Sequence, residues 1–227
     1  MKATRLAAGL SGLLLAAPPS LALPMSYAGS TTAGVDLDPA WSSAWFSHAL
    51  RRQWGLGVSA QVIPGSSSEG GHHGSTQKAD ESFLLLDSTH LLKRWNLPKA
   101  QSNLWLFAGV GSYQAWGETG DAALKIAARP GLQFDIETTR LRFEAKGQVF
   151  LAPGVERSML SATTGIGLTP PRFGGIQPWL EVQVRSMPQV VDQLEIIPKL
   201  RLLHQRVVLD IGYSNLGTLT GSVTTTF

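Results

Sequence analysis

A two-residue alternation of apolar and polar side chains runs from Arg140 to Leu151. One set of positions is apolar or small, and the other set is largely charged. Successive side chains of an extended strand point to opposite faces of a sheet, so this period predicts a β-strand with one apolar face and one charged face. The same period recurs along most of the chain after residue 22, and it predicts an all-β protein.

Charge complementarity indicates how the strands pair. With a two-residue turn at Thr138-Thr139, Glu137 lies opposite Arg140 and Asp135 lies opposite Arg142. Opposite charges that face each other across an antiparallel pair stabilise it. A slip by one residue would exchange the two faces of the strand. The sequence therefore predicts a hairpin in this register.

A second set of strands shares the charged face. The matching register places Glu181 opposite Lys199 and Arg185 opposite Glu195, and the next turn brings Asp210 beside Lys199. We predict that these residues belong to one charged lattice inside a barrel. Its predicted members are Asp135, Glu137, Arg140, Arg142, Glu144, Lys146, Glu181, Arg185, Glu195, Lys199 and Asp210.

The alternation extends to about twelve strands, and a count of ten or fourteen would also fit. The predicted ranges are 26–36, 41–50, 54–63, 81–95, 102–114, 122–137, 140–151, 158–168, 178–187, 194–203, 206–214 and 218–227. The longest connection, Pro64 to Asp80, falls on the side predicted to face outward, and most inward connections are short, with Thr169 to Gln177 as the exception. This asymmetry is typical of an antiparallel up-and-down transmembrane barrel. Pro130 and Pro198 fall within predicted strands, where we expect bulges.

The first residues have the composition of a secretory signal peptide. Lys2 and Arg5 precede an apolar stretch, and small residues end it at Ala22. We predict a cleaved signal peptide at 1–22 and a barrel domain at 23–227 in the bacterial outer membrane. Removing the two basic residues of this segment leaves 17 basic and 16 acidic residues, so the charge does not indicate nucleic-acid binding.

A membrane barrel must be distinguished from a secreted soluble β-protein, because apolar and polar residues alternate along the strands of both. The last strand ends in Phe227 and resembles the signal by which the barrel-assembly machinery recognises its substrates. Aromatic residues also gather near predicted strand ends, as in the aromatic belts of membrane proteins. These are Trp54, Trp95, Trp105, Trp179 and Phe227 toward the inner side, and Trp41, Tyr113, Trp116 and Phe150 toward the outer side. We therefore predict outer-membrane lipid and the assembly machinery as partners.

Three segments carry a family resemblance: residues 23–27, 92–105 and 130–140. They resemble a little-characterised family of proteobacterial outer-membrane β-barrel proteins, some of them found in heavy-metal-handling gene neighbourhoods. The resemblance implies an outer-membrane barrel linked to metal handling. Because no spacing marks a catalytic nucleophile, we predict a non-enzymatic protein with an envelope transport or binding role. No functional residues of the family can be carried over.

Few sequence patterns in this chain indicate a specific binding or catalytic activity. The charged interior would serve as a polar pathway for solutes or, alternatively, fill a closed structural barrel. His72 and His73, with Glu69 nearby, could bind a divalent metal ion on the longest connection. A barrel hydrolase would need a nucleophile, and the nearest dyad is Ser88 with His90. No sequence pattern indicates a cofactor, since the chain has no cysteine and no phosphate-binding loop.

Overall fold

The computed structural model describes residues 27–65, 79–116, 123–170 and 174–227. These residues form strands that follow the predicted ranges closely. The strands are β1 (Thr31–Leu37), β2 (Ser42–Arg51), β3 (Trp54–Ile63), β4 (Asp80–Asn96), β5 (Gln101–Trp116), β6 (Lys125–Glu137), β7 (Leu141–Ala152), β8 (Val155–Gly167), β9 (Gln177–Met187), β10 (Val191–His204), β11 (Val207–Tyr213) and β12 (Leu219–Thr226).

Each strand pairs antiparallel with its neighbours in the chain, and β1 pairs with β12 to close the barrel. The predicted all-β, up-and-down barrel of twelve strands is therefore confirmed. We call the end that carries the β3–β4 connection the loop end and the opposite end the turn end. No helix in the part of the chain that the structure describes is long and apolar enough to cross a membrane.

The outward face of the barrel is apolar over most of its height. Exposed outward side chains include Leu37, Phe46, Val58, Leu84, Leu86, Val110, Ile126, Leu160, Leu180 and Val223. Soluble monomers rarely expose a continuous apolar surface of this extent. The inward positions carry most of the charged side chains, together with a group of large aromatic rings. This polarity suits a barrel surrounded by lipid.

The predicted register is correct between β9 and β10 but wrong between β6 and β7. Lys199 pairs with Glu181 and Glu195 pairs with Arg185, as expected. In the first hairpin, however, Glu137 pairs with Arg142. The hydroxyl of Thr138 accepts hydrogen bonds from the backbone N–H groups of both Arg140 and Leu141, at 3.1 and 2.7 Å. This capped turn is longer than the predicted one, so the register moves by two positions and each face is retained.

The same displacement occurs between β10 and β11. Asp210 pairs with Arg201, and Gly212 takes the position opposite Lys199 that was predicted for Asp210. The turn lies at Gln205 and Arg206, and Gln205 has a positive φ of 52°. The prediction that Asp210 lies directly beside Lys199 is therefore wrong.

The two prolines are accommodated without bulges. The β6–β7 ladder is interrupted beside Pro130 and resumes in the same register. Pro198 pairs with Val182 on β9, and the ladder with β11 starts only at the next residue, Lys199. The N–H of Ile196 donates to the side chain of Asn215, which follows β11. Backbone nitrogens two residues apart point to the same side of a strand, so the Pro198 nitrogen also faces the β11 side, beyond the end of the β10–β11 ladder. The two prolines lack a backbone N–H, and the absence of these donors therefore removes few hydrogen bonds from the sheet.

Candidate functional site in the barrel lumen

The barrel encloses a cavity of about 360 Å³. Serine, threonine and glutamine side chains line it together with charged residues from most of the strands. The charged lining residues are Asp36, Asp38, Asp87, Arg129, Arg142, Glu144, Lys146, Arg185, Lys199, Arg201 and Asp210. A water-accessible interior with charges of both signs can bind or conduct a small polar solute.

An aromatic plug fills the lumen toward the loop end. It comprises Trp41, Phe83, Tyr113, Phe150 and Met187, all of them buried. The Trp41 and Phe150 ring centroids are 4.7 Å apart. Trp41 immediately precedes β2 and Phe150 lies on β7, and these two strands lie nearly opposite each other in the barrel. Phe83 lies against Phe150 at 5.1 Å and against Tyr113 at 5.0 Å. The plug therefore bridges the lumen between distant walls of the barrel.

The plug corrects the predicted aromatic belts. Trp41, Tyr113, Phe150, Trp105 and Trp179 are buried inside the barrel. Of the aromatic residues predicted to face lipid, Trp54, Trp116 and Phe227 are exposed. Phe150 has the same strand parity as Lys146 and Gln148, so its inward direction follows from the alternation itself.

Two ion pairs cross the lumen at the level of the plug. Arg157 on β8 binds Glu81 on β4, with Nε donating to Oε2 at 2.9 Å. Arg185 on β9 binds Asp38, which follows β1, with Nη2 donating to Oδ2 at 2.6 Å. Each pair joins strands that are four apart around the barrel. These contacts connect distant walls of the barrel near the loop end.

Arg185 is the centre of the more buried of the two clusters. Its Nε also donates to Glu195 Oε2 at 2.8 Å, and the hydroxyl of Ser214 donates to Glu195 Oε1 at 3.1 Å. Asp38 in turn accepts a hydrogen bond from the backbone N–H of Ala40. One guanidinium thus connects two strands and two loop-end connections.

A second charged network lies toward the turn end. Arg142 Nη1 donates to Glu181 Oε1 at 2.9 Å, and Arg142 Nη2 donates to Glu144 Oε2 at 2.6 Å. Arg201 Nη1 lies 3.5 Å from the same Glu181 oxygen. Glu181 can reach Arg142 because the residue between them, Gly165, has no side chain. A Cβ at Gly165 would lie 2.7 Å from Glu181 Cγ. The backbone partner of Glu181, Lys199, is therefore not the partner that binds its carboxylate.

Asp135 belongs to a separate cluster. Its carboxylate accepts hydrogen bonds from Asn103 Nδ2 at 2.6 Å and from the Trp105 indole at 2.7 Å. Arg94 Nε donates to Asn103 Oδ1 at 2.7 Å. This fixes Trp105 inside the barrel and away from the lipid interface.

The structure places ten of the eleven predicted lattice residues on the inward face. Arg140 is the exception, because it lies in the β6–β7 turn and is exposed. Glu137 pairs in register with Arg142, but no hydrogen bond or ion pair joins their side chains. Whether this lattice sets the selectivity of a pathway stays a prediction.

Several inward charged residues were missed in the sequence. Asp87 binds Arg129 at 2.7 Å, and Glu81, Arg157 and Arg201 contribute the pairs described above. On β4 the inward face also carries Phe83 and other apolar residues, so both faces of this strand looked apolar. Arg201 lies two residues after Lys199 on β10, so the alternation alone predicts that it faces inward.

Ser88 and His90 do form a hydrogen bond, with Oγ and Nε2 3.0 Å apart. The pair lies on the outward face of β4, where the Trp54 indole donates to Ser88 Oγ at 2.9 Å and stacks on His90. Among the described residues, no side chain binds Nδ1 of His90. A catalytic histidine is normally oriented by such a group. This arrangement suits a polar anchor at the membrane interface.

The predicted metal ligands His72 and His73 lie outside the described residues. Within the described ranges, no group of three or more histidine or carboxylate side chains is placed to hold a metal ion. The metal site and the link to metal handling therefore stay predictions. The signal peptide at 1–22 also lies outside the described residues.

A closed antiparallel barrel with an apolar outside and a polar inside is the architecture of outer-membrane β-barrel proteins. Solved structures of this class share the fold. LpxR from Salmonella typhimurium matches with a TM-score of 0.50 and 10% identity, over 86% of this chain and 99% of that chain. The chain therefore has the fold of an outer-membrane β-barrel.

Two further structures show weaker likeness. The KdgM porin in complex with disordered oligogalacturonate has a TM-score of 0.47, with 10% identity over 87% of this chain and 98% of that chain. The KdgM porin alone has a TM-score of 0.46. No family model matches the chain. No curated protein matches it either. A shared fold decides neither transport nor catalysis.

Proposed function

We propose that this chain is a non-enzymatic outer-membrane barrel that admits a small polar solute through a gated lumen. The observation that carries the proposal is the polar cavity of about 360 Å³ next to the aromatic plug. A barrel that served only as a scaffold could fill this volume with its own side chains. Here charged and hydroxyl groups face the space instead.

The plug is the gate in this proposal. Apolar constrictions in channels stop conduction by excluding water, and movement of a few rings restores it. Trp41 belongs to the short connection between β1 and β2, so it can move without breaking a strand. Phe150, by contrast, lies within β7. Trp41 is therefore the moving part.

The orientation follows the usual asymmetry of such barrels, with short turns on the periplasmic side. The loop end then faces outward and the plug restricts entry from outside. The partners in this proposal are outer-membrane lipid along the apolar belt and the assembly machinery, through the strand that ends in Phe227.

Single-channel conductance of the refolded protein in planar bilayers tests the gate. We expect the unaltered protein to open rarely, and Trp41→Ala with Phe150→Ala to raise the time-averaged conductance by roughly tenfold or more, because water can then enter the constriction. The matched control is Trp54→Ala with Phe143→Ala, which removes the same two ring types from the outward face. This control should leave conductance unchanged. If the plug variant inserts stably and conducts no more than the control, the lumen is a filled scaffold and the proposal is wrong.

The competing hydrolase function has a direct test. We expect the protein to release no fatty acid from phospholipid in mixed micelles, because His90 lacks an orienting partner among the described residues. The comparison is Ser88→Ala, which removes the hydroxyl next to the imidazole. Release that disappears in this variant would establish an enzyme on the outward face.

A further inference from the structure

We propose that the solute held in this lumen is a small oxyanion, bound between Lys146 on β7 and Lys199 on β10. This inference rests on the proposed function and names its substrate class. Both lysines are half-buried and line the same cavity.

The arginines of the cavity are already neutralised. Arg129 is bound by Asp87 at 2.7 Å, Arg142 by Glu144 at 2.6 Å, and Arg185 by Asp38 at 2.6 Å. Arg201 lies within 3.7 Å of both Glu181 and Asp210. Their positive charge is therefore largely matched by protein carboxylates.

The two lysines differ from these arginines. Within the described residues, neither ammonium group has a carboxylate at ion-pair distance or a hydrogen-bond acceptor. Lys146 Nζ lies over the Phe107 ring at 5.5 Å, a contact that leaves its N–H groups free. The stem of Lys199 crosses Gly212, where a Cβ would lie 2.8 Å from Lys199 Cγ. Gly212 thus gives Lys199 room to direct its ammonium group along the lumen.

A third free donor lines the same cavity. Arg129 Nε is buried and has no hydrogen-bond partner among the described groups, although Nη2 of the same residue binds Asp87. Buried donors of this kind are normally satisfied by protein, water or ligand. Two ammonium groups and one guanidinium N–H thus line the same cavity, and they are the donors with which carboxylate or phosphate oxygens form charge-assisted hydrogen bonds.

The carboxylate of Asp36 repels an anion bound in this cavity. Asp36 lines the cavity, lies within electrostatic range of both lysines, and is held by the Ser43 hydroxyl at 2.7 Å. Removing its charge should strengthen anion binding, whereas removing either lysine should weaken it. Changes of opposite sign from one cavity separate an anion site from a general loss of structure.

The first measurement is binding of inorganic phosphate to the refolded protein in detergent by titration calorimetry. We expect saturable binding with one site per chain, weakened about tenfold or more by Lys146→Gln with Lys199→Gln, and strengthened by Asp36→Asn. Lys99→Gln, at an exposed position in the β4–β5 turn, is the matched control. Both lysines lack a carboxylate partner, so their removal leaves no buried acid unpaired and the barrel should still fold. Absence of phosphate binding, or binding unaffected by the lysine pair, would overturn the inference.

The second measurement is the reversal potential in a KCl gradient, made in the Trp41→Ala, Phe150→Ala background. We expect anion preference, reduced about threefold or more by the lysine pair and retained when both lysines are replaced by arginine. If this background does not conduct while phosphate still binds, the gated pathway fails and the anion site stands. If it conducts without a lysine-dependent preference and phosphate does not bind, only the anion site fails.

Discussion

Arg185→Leu is expected to lower the free energy of unfolding by about 3–5 kcal/mol, because it leaves the buried Asp38 and Glu195 carboxylates without their cation. Breaking a buried ion pair costs more than the pair contributes, since the remaining charge cannot be hydrated. The measurement is denaturant unfolding in lipid vesicles, followed by tryptophan fluorescence and by heat-dependent gel mobility.

Two variants sharpen this test. Adding Asp38→Asn and Glu195→Gln should recover part of the loss, because neutral amides are less costly to bury than carboxylates. Arg140→Leu is the matched control, and its exposed position in the β6–β7 turn predicts a change within about 0.5 kcal/mol. Equal losses for Arg185→Leu and Arg140→Leu would show that the Arg185 cluster does not stabilise the barrel.

Leu160→Arg should destabilise the barrel by about 2–4 kcal/mol in lipid, because Leu160 is exposed near the middle of β8 on the outward face. A charged side chain at that depth must leave water for the acyl chains. The measurement is reversible unfolding from vesicles.

Leu168→Arg is the depth control for this prediction. Leu168 is also exposed, but it lies just beyond β8, where a charge costs about 0–1 kcal/mol. On a soluble protein both changes would be nearly neutral, since each side chain would already face water. A small effect at Leu160 would therefore favour the soluble β-protein over the membrane barrel.

The strands could be predicted because their two faces meet different environments. Lipid on one side and a polar lumen on the other impose a period of two on the sequence, and this period marks each strand without knowledge of its partners. The register is less well determined. A shift by two positions keeps every side chain on its face, so only local turn chemistry, such as the Thr138 cap, distinguishes the alternatives.

Side-chain partners were harder to predict than strand pairs. Glu181 lies opposite Lys199 in the ladder, yet its carboxylate binds Arg142, two strands away. That contact depends on the space above Gly165 and on the width of the lumen, and neither is encoded in pairwise patterns. The plug was missed for a related reason, because Trp41 and Phe150 meet only when β2 and β7 face each other across a closed barrel.

The pairing of β1 with β12 also imposes an order on folding. Thr32 and Thr226 lie beside each other although 194 positions separate them in the chain. Every other strand pair joins neighbours in sequence, so the sheet can grow from any hairpin before its first and last strands pair with each other. Both edges then present free N–H and C=O groups, which are templates for aggregation. Closure is therefore the step with the greatest loss of chain entropy. Until that step, this topology requires that the free edges of β1 and β12 be protected.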